Sequence, residues 1–550
     1  MGCTVSGDSK GIQFQVDSNN RIILTIPESD TARNFSVVRI VDQATHPIDT
    51  FATNLDSIAD QVKACDFQQI KKGGNPAWSK KIETTGFLGL EQDGYAVDTL
   101  TIPDSNPWNS WLRTTSLDFF SDGRMAVATY GGDIWIVSGI DNSLKNLTWK
   151  RFAAGLYEPF GLRIIADKIY VTCKDRLVRL HDHNGDDEAD FYENFSAEPD
   201  VSVNFHAFSF DLQTDEQGNF YYAKSGHGSD STLPGMIYKI SSDGKKREIF
   251  STGFRTPNGL GMMPGNRLVG SDNQGQWMPA SKINHLKKNA FYGWVPTYSI
   301  PGMWEPDGGK MDIKKVVAPS SFEQPIVWMP QEFDNSSGGQ LWVDDERFGP
   351  LNRHLLHTSF GRGWVSYLMT QEISGVMQGA IVRLPLDFRT GVMRARTNPR
   401  DGQVYTTGLQ GWNGGGRVGL KENGIQRLRY TGRSKQMLIN CQVVEGGLKL
   451  TFDQEISPES CHDPKAFEIH HWNYKWRASY GSDQYRPSDD QQGTEQVEIE
   501  AITISSDHKT IKLSIPKLIP VDQLHLKIEI QNATGTPFAE EVYWTIHHTL

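Results

Sequence analysis

The sequence predicts an all-β fold: an N-terminal leader and β segment over residues 1–111, a six-bladed β-propeller over 112–432 and an Ig-like β-sandwich over 433–550. Three observations predict it. A strand-turn-strand unit recurs along the middle of the chain, helical periodicity is almost absent, and 11% aromatic residues are combined with 52 glycines. Aromatic residues favour strands, and glycines favour the tight turns between them.

The N-terminal segment contains two short alternating runs, Ile12–Val16 and Arg21–Ile26, which are typical of strands. The first residues, MGCTVSGDSKG, leave three interpretations open: an N-myristoylation signal, a bacterial lipoprotein with a lipid anchor at Cys3, or a flexible leader. The motif NPWNSW at 106–111 marks the junction with the propeller, and its tryptophans are either packing anchors or a platform for a sugar ring.

The recurring unit is an apolar strand, an Asp-Gly or Gly-Asn type of turn, and a second apolar strand. Its turns are centred near residues 122, 167, 217 and 265, a spacing of roughly 45–50 residues that is typical of a four-stranded propeller blade. A turn near residue 401 and a degenerate unit around Arg353–Leu368 are further copies. The repeat therefore predicts about six blades.

After residue 433 the blade pattern stops, and several strand-like runs indicate a β-sandwich of Ig-like type. These runs are Met437–Phe452, Val497–Ile504, Thr510–Ile515, Leu524–Ile530 and Glu541–Ile546. Only Asn54–Ala64 and Ile283–Lys288 are modest helix candidates, whereas a parallel α/β fold requires an amphipathic helix between successive strands.

Composition excludes several classes of function. The net charge of −11 argues against a nucleic-acid surface, because phosphate binding requires clustered Lys and Arg. No apolar run is long enough to span a membrane. The five cysteines form no CxxC motif, which disfavours zinc ribbons and thioredoxin chemistry, and a Cys441–Cys461 disulfide stays open.

The stretch from Gly253 to Trp294 carries a family resemblance. It contains Arg-Thr-Pro-Asn-Gly-Leu at 255–260, a polar loop at 272–277, Ile-Asn at 283–284 and Tyr-Gly-Trp at 292–294. In order and spacing it resembles soluble quinoprotein glucose/sorbosone dehydrogenases, which are six-bladed propellers that use pyrroloquinoline quinone (PQQ) and calcium. Nearly the whole chain, including YAVDTLTIP and GGDIWIVSGID, is similar to large propeller proteins of planctomycetes and related bacteria that are labelled membrane-bound dehydrogenases.

The resemblance implies a bacterial, extracytoplasmic sugar or alcohol oxidoreductase that transfers hydride to PQQ and passes electrons to an external acceptor. His206 would be the base that takes the hydroxyl proton, since imidazole titrates near working pH. The implied cofactor contacts are Arg255, Thr256 at a position where the family has Asn, Arg362 near the family's lysine, and Arg394. Gly275 would offer a main-chain carbonyl to calcium.

The residues also leave two other functions open. His206, His227 and Asp272 are a candidate acid/base or metal cluster, which would suit a carbohydrate lyase or hydrolase that has no quinone. A propeller that binds glycans without catalysis is the other alternative. In every case the expected ligand is a carbohydrate or a small polyol.

A separate acidic segment, DHNGDDEADFYE at 182–193, matches an EF-hand-like calcium loop. The candidate ligands are Asp182, Asn184, Asp186, Asp190 and Glu193. Because no helices are predicted on either side, the loop would be a calcium-bound hairpin between blade strands, or else a solvated acidic turn.

Overall fold

The computed structural model describes residues 2–40, 57, 61, 71–92, 94–198, 200–228, 233–295, 320–410, 416–433, 435–463 and 465–550 of the 550-residue chain. The chain divides into two compact units, Met1–Asn75 and Pro76–Leu550. The strands of the first unit are β1 (Gly2–Gly7), β2 (Gln13–Val16), β3 (Ile22–Thr25) and β4 (Phe35–Ile40). β1 pairs with β4 and β2 with β3, so the two strands predicted from the alternating runs are confirmed.

The second unit is almost entirely β-structure. Its first strands are β5 (Lys81–Thr84), β6 (Glu91–Gln92), β7 (Tyr95–Leu100), β8 (Thr114–Phe119), β9 (Met125–Thr129), β10 (Ile134–Ser138), β11 (Leu147–Ala153), β12 (Gly161–Ile165), β13 (Lys168–Thr172), β14 (Arg176–His181) and β15 (Phe191–Ala197). There follow β16 (Ser209–Thr214), β17 (Phe220–Lys224), β18 (Met236–Ile240), β19 (Arg247–Thr252), β20 (Leu260–Met263), β21 (Arg267–Asp272), β22 (Ser281–His285) and β23 (Val327–Met329).

The remaining strands are β24 (Ser337–Trp342), β25 (Leu355–Ser359), β26 (Trp364–Ile373), β27 (Val376–Arg383), β28 (Val392–Thr397), β29 (Val404–Leu409), β30 (Asn423–Tyr430), β31 (Leu438–Val444), β32 (Gly447–Phe452), β33 (Phe467–Trp472), β34 (Glu495–Gln496), β35 (Ala501–Ile504), β36 (Thr510–Ser514), β37 (Val521–Gln531) and β38 (Pro537–Ile546). A 3-10 helix at Glu346–Leu351 and a short helix α1 (Pro458–Cys461) interrupt them.

Within the described residues, six antiparallel sheets form a ring. They are blade 1 (β5, β8–β11), blade 2 (β12–β15), blade 3 (β16–β19), blade 4 (β20–β23), blade 5 (β24–β27) and blade 6 (β28–β30 with β6 and β7). The inner strands β8, β12, β16, β20, β24 and β28 contact one another in this order, and β28 contacts β8. The ring is therefore closed, and the six-bladed propeller is confirmed.

Blade 6 joins the two ends of the ring. β7, which lies between β5 and β8 of blade 1 in the chain, pairs with β30, with Leu100 opposite Ile425. Hydrophobic layers between blades complete the closure, as where Trp135 and Trp149 of blade 1 pack with Tyr405 of blade 6. The division at residues 111 and 112 stays a prediction as a domain boundary, but the sheets of the ring already include β5 and β7 upstream of it.

The predicted turns near 122, 167, 217, 265 and 401 lie between the first and second strands of blades 1, 2, 3, 4 and 6. The degenerate unit Arg353–Leu368 belongs to blade 5, where the 3-10 helix lengthens the connection between β24 and β25. The helix predicted at Ile283–Lys288 is wrong, because Ile283 pairs with both neighbouring strands as part of β22. The helix predicted at Asn54–Ala64 lies outside the described residues except at Ser57 and Gln61.

The C-terminal region is a β-sandwich that shares a sheet with the propeller. One sheet has the order β31-β32-β36-β35, and the other extends blade 5 through β27-β38-β37-β33-β34. Leu450, Leu513, Leu526 and Trp544 from both sheets pack in one hydrophobic core. The sandwich is confirmed, and its Ig-like topology stays a prediction. The disulfide left open between Cys441 and Cys461 is not formed, since both are buried free thiols.

Candidate functional site

One face of the ring collects most of the predicted site residues. The loops that precede the inner strands and those that follow the second strands lie at this end, because each blade is antiparallel; we call it the upper face. His206 precedes β16, His227 follows β17, Arg255 precedes β20 and Asp272 ends β21. These four residues therefore meet at the upper face between blades 3 and 4.

Asp272 holds the turn that carries Arg255. Its carboxylate accepts hydrogen bonds from the backbone amides of Arg255 at 2.8 Å and Thr256 at 2.6 Å. The side chain is fully buried, and this burial raises the pKa of Asp272 although both amide hydrogen bonds oppose the rise. The Asp272 carboxylate also accepts the backbone amide of Asn273 at 2.9 Å. A buried carboxylate that accepts three amides suits a positioning role better than a role as a solvent-accessible base.

The Arg255 backbone links blades 3 and 4, and its side chain fills the space between them. The Arg255 carbonyl accepts hydrogen bonds from the amides of Gly226 at 2.9 Å and His227 at 2.8 Å. The guanidinium lies against Gly275, where an added Cβ would fall 1.8 Å from Nε of Arg255. Only glycine leaves room for the arginine there.

The Arg255 guanidinium is a buried cation that forms no direct ion pair with a carboxylate in the described part of the chain; the charge of Asp272 acts on it only from a longer distance. The residue is 8% exposed, its Nε has no hydrogen-bond partner among the described residues, and burial lowers the pKa of Arg255. A buried cation is costly unless an anion offsets its lost hydration. A guanidinium also binds carboxylates in bidentate fashion, so this position is suited to an anionic ligand.

His206 and His227 lie beside this cation, with ring centroids 5.1 Å apart. Burial lowers the pKa of His206, and the positive charge of Arg255 lowers it further. Burial, Arg255 and His206 together lower the pKa of His227 to about 3. Both imidazoles are therefore neutral at neutral pH, and the partly exposed His206 can accept a proton from a ligand.

A loop of the sandwich, residues 473–494 between β33 and β34, lies on the polar loop of blade 4. The backbone amide of Trp277 donates a hydrogen bond to the carbonyl of Arg477 at 3.0 Å, and the backbone amide of Gly481 donates to the carbonyl of Gly275 at 2.9 Å. The ring of Tyr480, which is 57% exposed, lies 5.4 Å from Cζ of Arg255. Sequence reasoning missed Tyr480, because a contact between residues so far apart in the chain has no local signal.

Arg394 is not part of this cluster. It is fully buried inside the ring, where its Nε lies 3.4 Å from a carboxylate oxygen of Asp211. Its guanidinium also donates to the carbonyls of Phe160 at 3.1 Å and Met393 at 2.8 Å. The cofactor contact that the resemblance implies for Arg394 stays a prediction, and these partners already engage the side chain.

The other implied cofactor residues are divided between two places. Thr256 stays beside Arg255, whose Nη1 lies 3.5 Å from the threonine hydroxyl. Arg362, on blade 5, donates instead to the carbonyl of Gln331 at 2.6 Å. The Gly275 carbonyl, expected to face calcium, accepts the hydrogen bond from Gly481.

The acidic segment 182–193 lies in the hairpin between β14 and β15, at the opposite face of the ring. Among the described residues, no group of three or more His, Cys, Asp or Glu side chains is arranged to hold a metal ion. The calcium loop stays a prediction. Glu193 instead contacts Arg179 at 2.6 Å and His181 at 2.7 Å. Asp182 accepts the amides of Gly185 at 2.7 Å and Asp187 at 2.9 Å, as in an acidic turn.

Exposed aromatic rings line the upper face around the cluster. Trp111, Tyr157 and Phe205 precede the inner strands of blades 1, 2 and 3, and each is at least 44% exposed. Trp108 packs instead against Trp135, at 5.7 Å between centroids. The two tryptophans of the NPWNSW motif thus differ: Trp108 is a packing anchor, and Trp111 presents its ring to solvent.

Scans of the sequence against family models and against curated proteins return no match. Several solved structures are similar to part of this chain. A glucose dehydrogenase-type oxidoreductase of Thermus thermophilus is 17% identical, with a TM-score of 0.44 over 61% of this chain and 99% of that chain. The PQQ-bound aldose sugar dehydrogenase of Streptomyces coelicolor is 12% identical, with a TM-score of 0.43 over 64% and 98%. An α-L-arabinofuranosidase of Fusarium graminearum is 12% identical, with a TM-score of 0.33 over 58% and 93%.

No helix among the described residues combines the length and the apolar character that a membrane crossing requires.

Proposed function

We propose that this protein is a carbohydrate lyase that cleaves uronate-containing glycans by β-elimination. The observation that carries the proposal is the buried Arg255 guanidinium, which forms no direct ion pair with a described carboxylate, although the charge of Asp272 acts on it from further away. The charge of Arg255 in turn lowers the pKa of the neighbouring, neutral His206. Arg255 would bind the uronate carboxylate. His206 would be the general base.

The elimination needs no oxidant. Arg255 pairs with the carboxylate at C6 and stabilises the negative charge that develops when the proton on C5 is removed. His206 takes that proton, the electron pair forms the C4–C5 double bond, and the C4–O bond breaks. The leaving oxygen then takes up a proton, so atoms and charges balance.

Elimination fits the site better than hydrolysis does. Glycoside hydrolases of the usual kind place two carboxyl groups on either side of the scissile bond. In the described part of this cluster the carboxylate is Asp272, and its oxygens accept the amides of Arg255 and Thr256. The exposed rings of Trp111, Tyr157 and Phe205 offer apolar faces against which sugar rings can pack.

The residues at this site do not fit PQQ with calcium. Arg394 pairs with Asp211, and Arg362 donates to the Gln331 carbonyl. The Gly275 carbonyl accepts a hydrogen bond from the backbone amide of Gly481. Only Arg255 and Thr256 remain for the quinone. The other expectations from the resemblance stay predictions: the quinone-dependent oxidation, its electron acceptor, the membership of the planctomycete group, the extracytoplasmic location and the lipid anchor at Cys3. In the structure Cys3 is partly buried in β1.

The test is a panel of acidic glycans (polygalacturonate, alginate and unsulfated chondroitin) with neutral glycans as controls. We expect ultraviolet absorbance from an unsaturated uronate with at least one acidic glycan and with none of the neutral ones. His206→Ala should lower kcat by about 100-fold or more, as for loss of a general base. His183→Ala, an exposed histidine at the opposite face, is the matched control and should leave the rate unchanged.

Two other outcomes would each overturn the proposal. Dye reduction of a sugar or alcohol after PQQ and calcium are added, without any elimination, would establish the oxidoreductase instead. Binding of acidic glycans without any product would establish a non-catalytic glycan-binding propeller.

A further inference from the structure

The sandwich loop is fastened to blade 4 on both sides of Tyr480. On one side, the indole nitrogen of Trp476 donates to the carbonyls of Trp277 at 3.1 Å and Gly293 at 2.9 Å. On the other side, the backbone amide of Ser482 donates to the carbonyl of Pro279 at 2.9 Å. These bonds hold the short segment between them against the propeller, so Tyr480 has a defined position at the upper face.

Gly481 allows this close approach. Its φ is +64°, which side-chain-bearing residues rarely adopt, and an added Cβ would fall 2.6 Å from Nε2 of Gln274. With glycine here, the chain turns sharply after Tyr480 and its ring comes to lie over Arg255.

We propose that Tyr480, contributed by the C-terminal sandwich, is a catalytic residue that donates the proton to the leaving oxygen. This inference rests on the proposed lyase function and names the group that completes it. The phenol is exposed at the upper face, whereas the ring contacts the guanidinium that would hold the substrate carboxylate. His206 of blade 3 lies close enough to Arg255 to be affected by its charge, and Tyr480 of the sandwich lies over the same guanidinium.

An elimination needs a base and a proton donor beside the bound carboxylate, and here two different side chains are placed to fill these roles. The base removes the proton from C5, and a separate donor protonates the oxygen that leaves C4. Tyr480 gives its phenolic proton as the C4–O bond breaks, and the resulting phenolate recovers a proton from water. The sandwich is therefore part of the catalytic site, and its continuity with blade 5 through β27 and β38 keeps it fixed to the ring.

The test compares Tyr480→Phe, Tyr480→Ala and a control in the same loop, Tyr485→Phe, whose hydroxyl accepts from Arg477 instead. Phenylalanine keeps the ring over Arg255 and removes the hydroxyl group that carries the transferable proton. We expect Tyr480→Phe to lower kcat by about 100-fold or more with little change in KM. Tyr480→Ala should raise KM as well, and Tyr485→Phe should behave as the wild type.

The outcomes separate the two proposals. A Tyr480→Phe enzyme with wild-type kcat would overturn the role of Tyr480 and leave the lyase function standing. A wild-type enzyme that produces no unsaturated uronate overturns both. Calorimetry of galacturonate binding separates proton transfer from a positioning role. The affinity for galacturonate should be unchanged in Tyr480→Phe. A loss of affinity in this variant would mean that the hydroxyl serves binding and not proton transfer.

Discussion

Asp211 of blade 3 and Arg394 of blade 6 form an ion pair inside the ring, with 3.4 Å between Oδ2 and Nε, although their blades lie opposite each other. Arg396 pairs with the other oxygen of the same carboxylate at 3.2 Å. Asp211 and Arg394 are fully buried, and Arg396 nearly so. One carboxylate thus ties two inner strands together across the channel.

Asp211→Asn should destabilise the propeller strongly, because it leaves two buried guanidinium groups without their counterion. We expect the free energy of unfolding to fall by about 3–5 kcal/mol, as for other broken buried pairs. Urea denaturation followed by tryptophan fluorescence measures it. Asp122→Asn breaks an exposed pair with Arg124 and should cost at most about 1 kcal/mol; equal costs for the two variants would contradict the prediction.

Arg255→Gln should raise the pKa of His206, because the charge of Arg255 is one of the two causes that lower it. In the wild type we expect the His206 resonances to titrate below pH 6.5, the ordinary value for histidine. In the variant the midpoint should move upward towards that value. NMR titration of the imidazole signals measures both, and it needs no substrate. An unchanged midpoint would mean that burial alone sets the pKa.

Lys282→Met should change how stability depends on pH. Lys282 is fully buried, and its ammonium donates to the Tyr292 carbonyl at 2.6 Å between the rings of Phe322 and Trp328. Burial lowers the pKa of Lys282 to about 7, against the opposing charge of Asp272. Between about pH 7 and 10.5 the unfolded chain therefore binds a proton that the folded chain does not, so wild-type stability falls as pH falls through this window.

The methionine variant lacks this proton uptake. We expect the Tm of the variant to exceed that of the wild type. This difference in Tm should be largest at pH 7 or below and should shrink as pH rises towards 10. Thermal melts across this range measure it. Lys245→Met, at a highly exposed lysine, is the control and should keep the wild-type dependence. A pH-independent difference for Lys282→Met would count against the shifted pKa.

Gly481→Val should release the sandwich loop from blade 4 and uncover Arg255. Valine at this position would have to adopt a left-handed backbone conformation, and its Cβ would clash with the side chain of Gln274. We expect Arg255 to react several-fold faster with phenylglyoxal, read by mass spectrometry of its peptide. Gly535→Val has a similar φ of +81° with open space around it, so it carries only the backbone strain of about 1–2 kcal/mol. Equal labelling in the two variants would show that the loop is not held by Gly481.

The prediction of the fold from the sequence succeeded where the signals are local. The turns between first and second strands mark five blades, and the alternating runs of β2 and β3 are strands as expected. The signals failed where pairing decides: Ile283 was a helix candidate and lies in a central strand of blade 4. The calcium loop that the spacing of the acidic segment at 182–193 indicates stays a prediction, and in the structure Glu193 contacts Arg179 and His181.

By itself the sequence determined the β class, the number of blades and the loops that carry His206, His227, Arg255 and Asp272, because strand alternation and turn residues are properties of short segments. Only the tertiary structure decided which charges have partners. It buries Arg394 against Asp211, leaves the Arg255 guanidinium without a direct ion pair among the described residues, and brings Tyr480 to it from the sandwich. Burial and ion pairing depend on contacts between distant parts of the chain, and no local pattern encodes them.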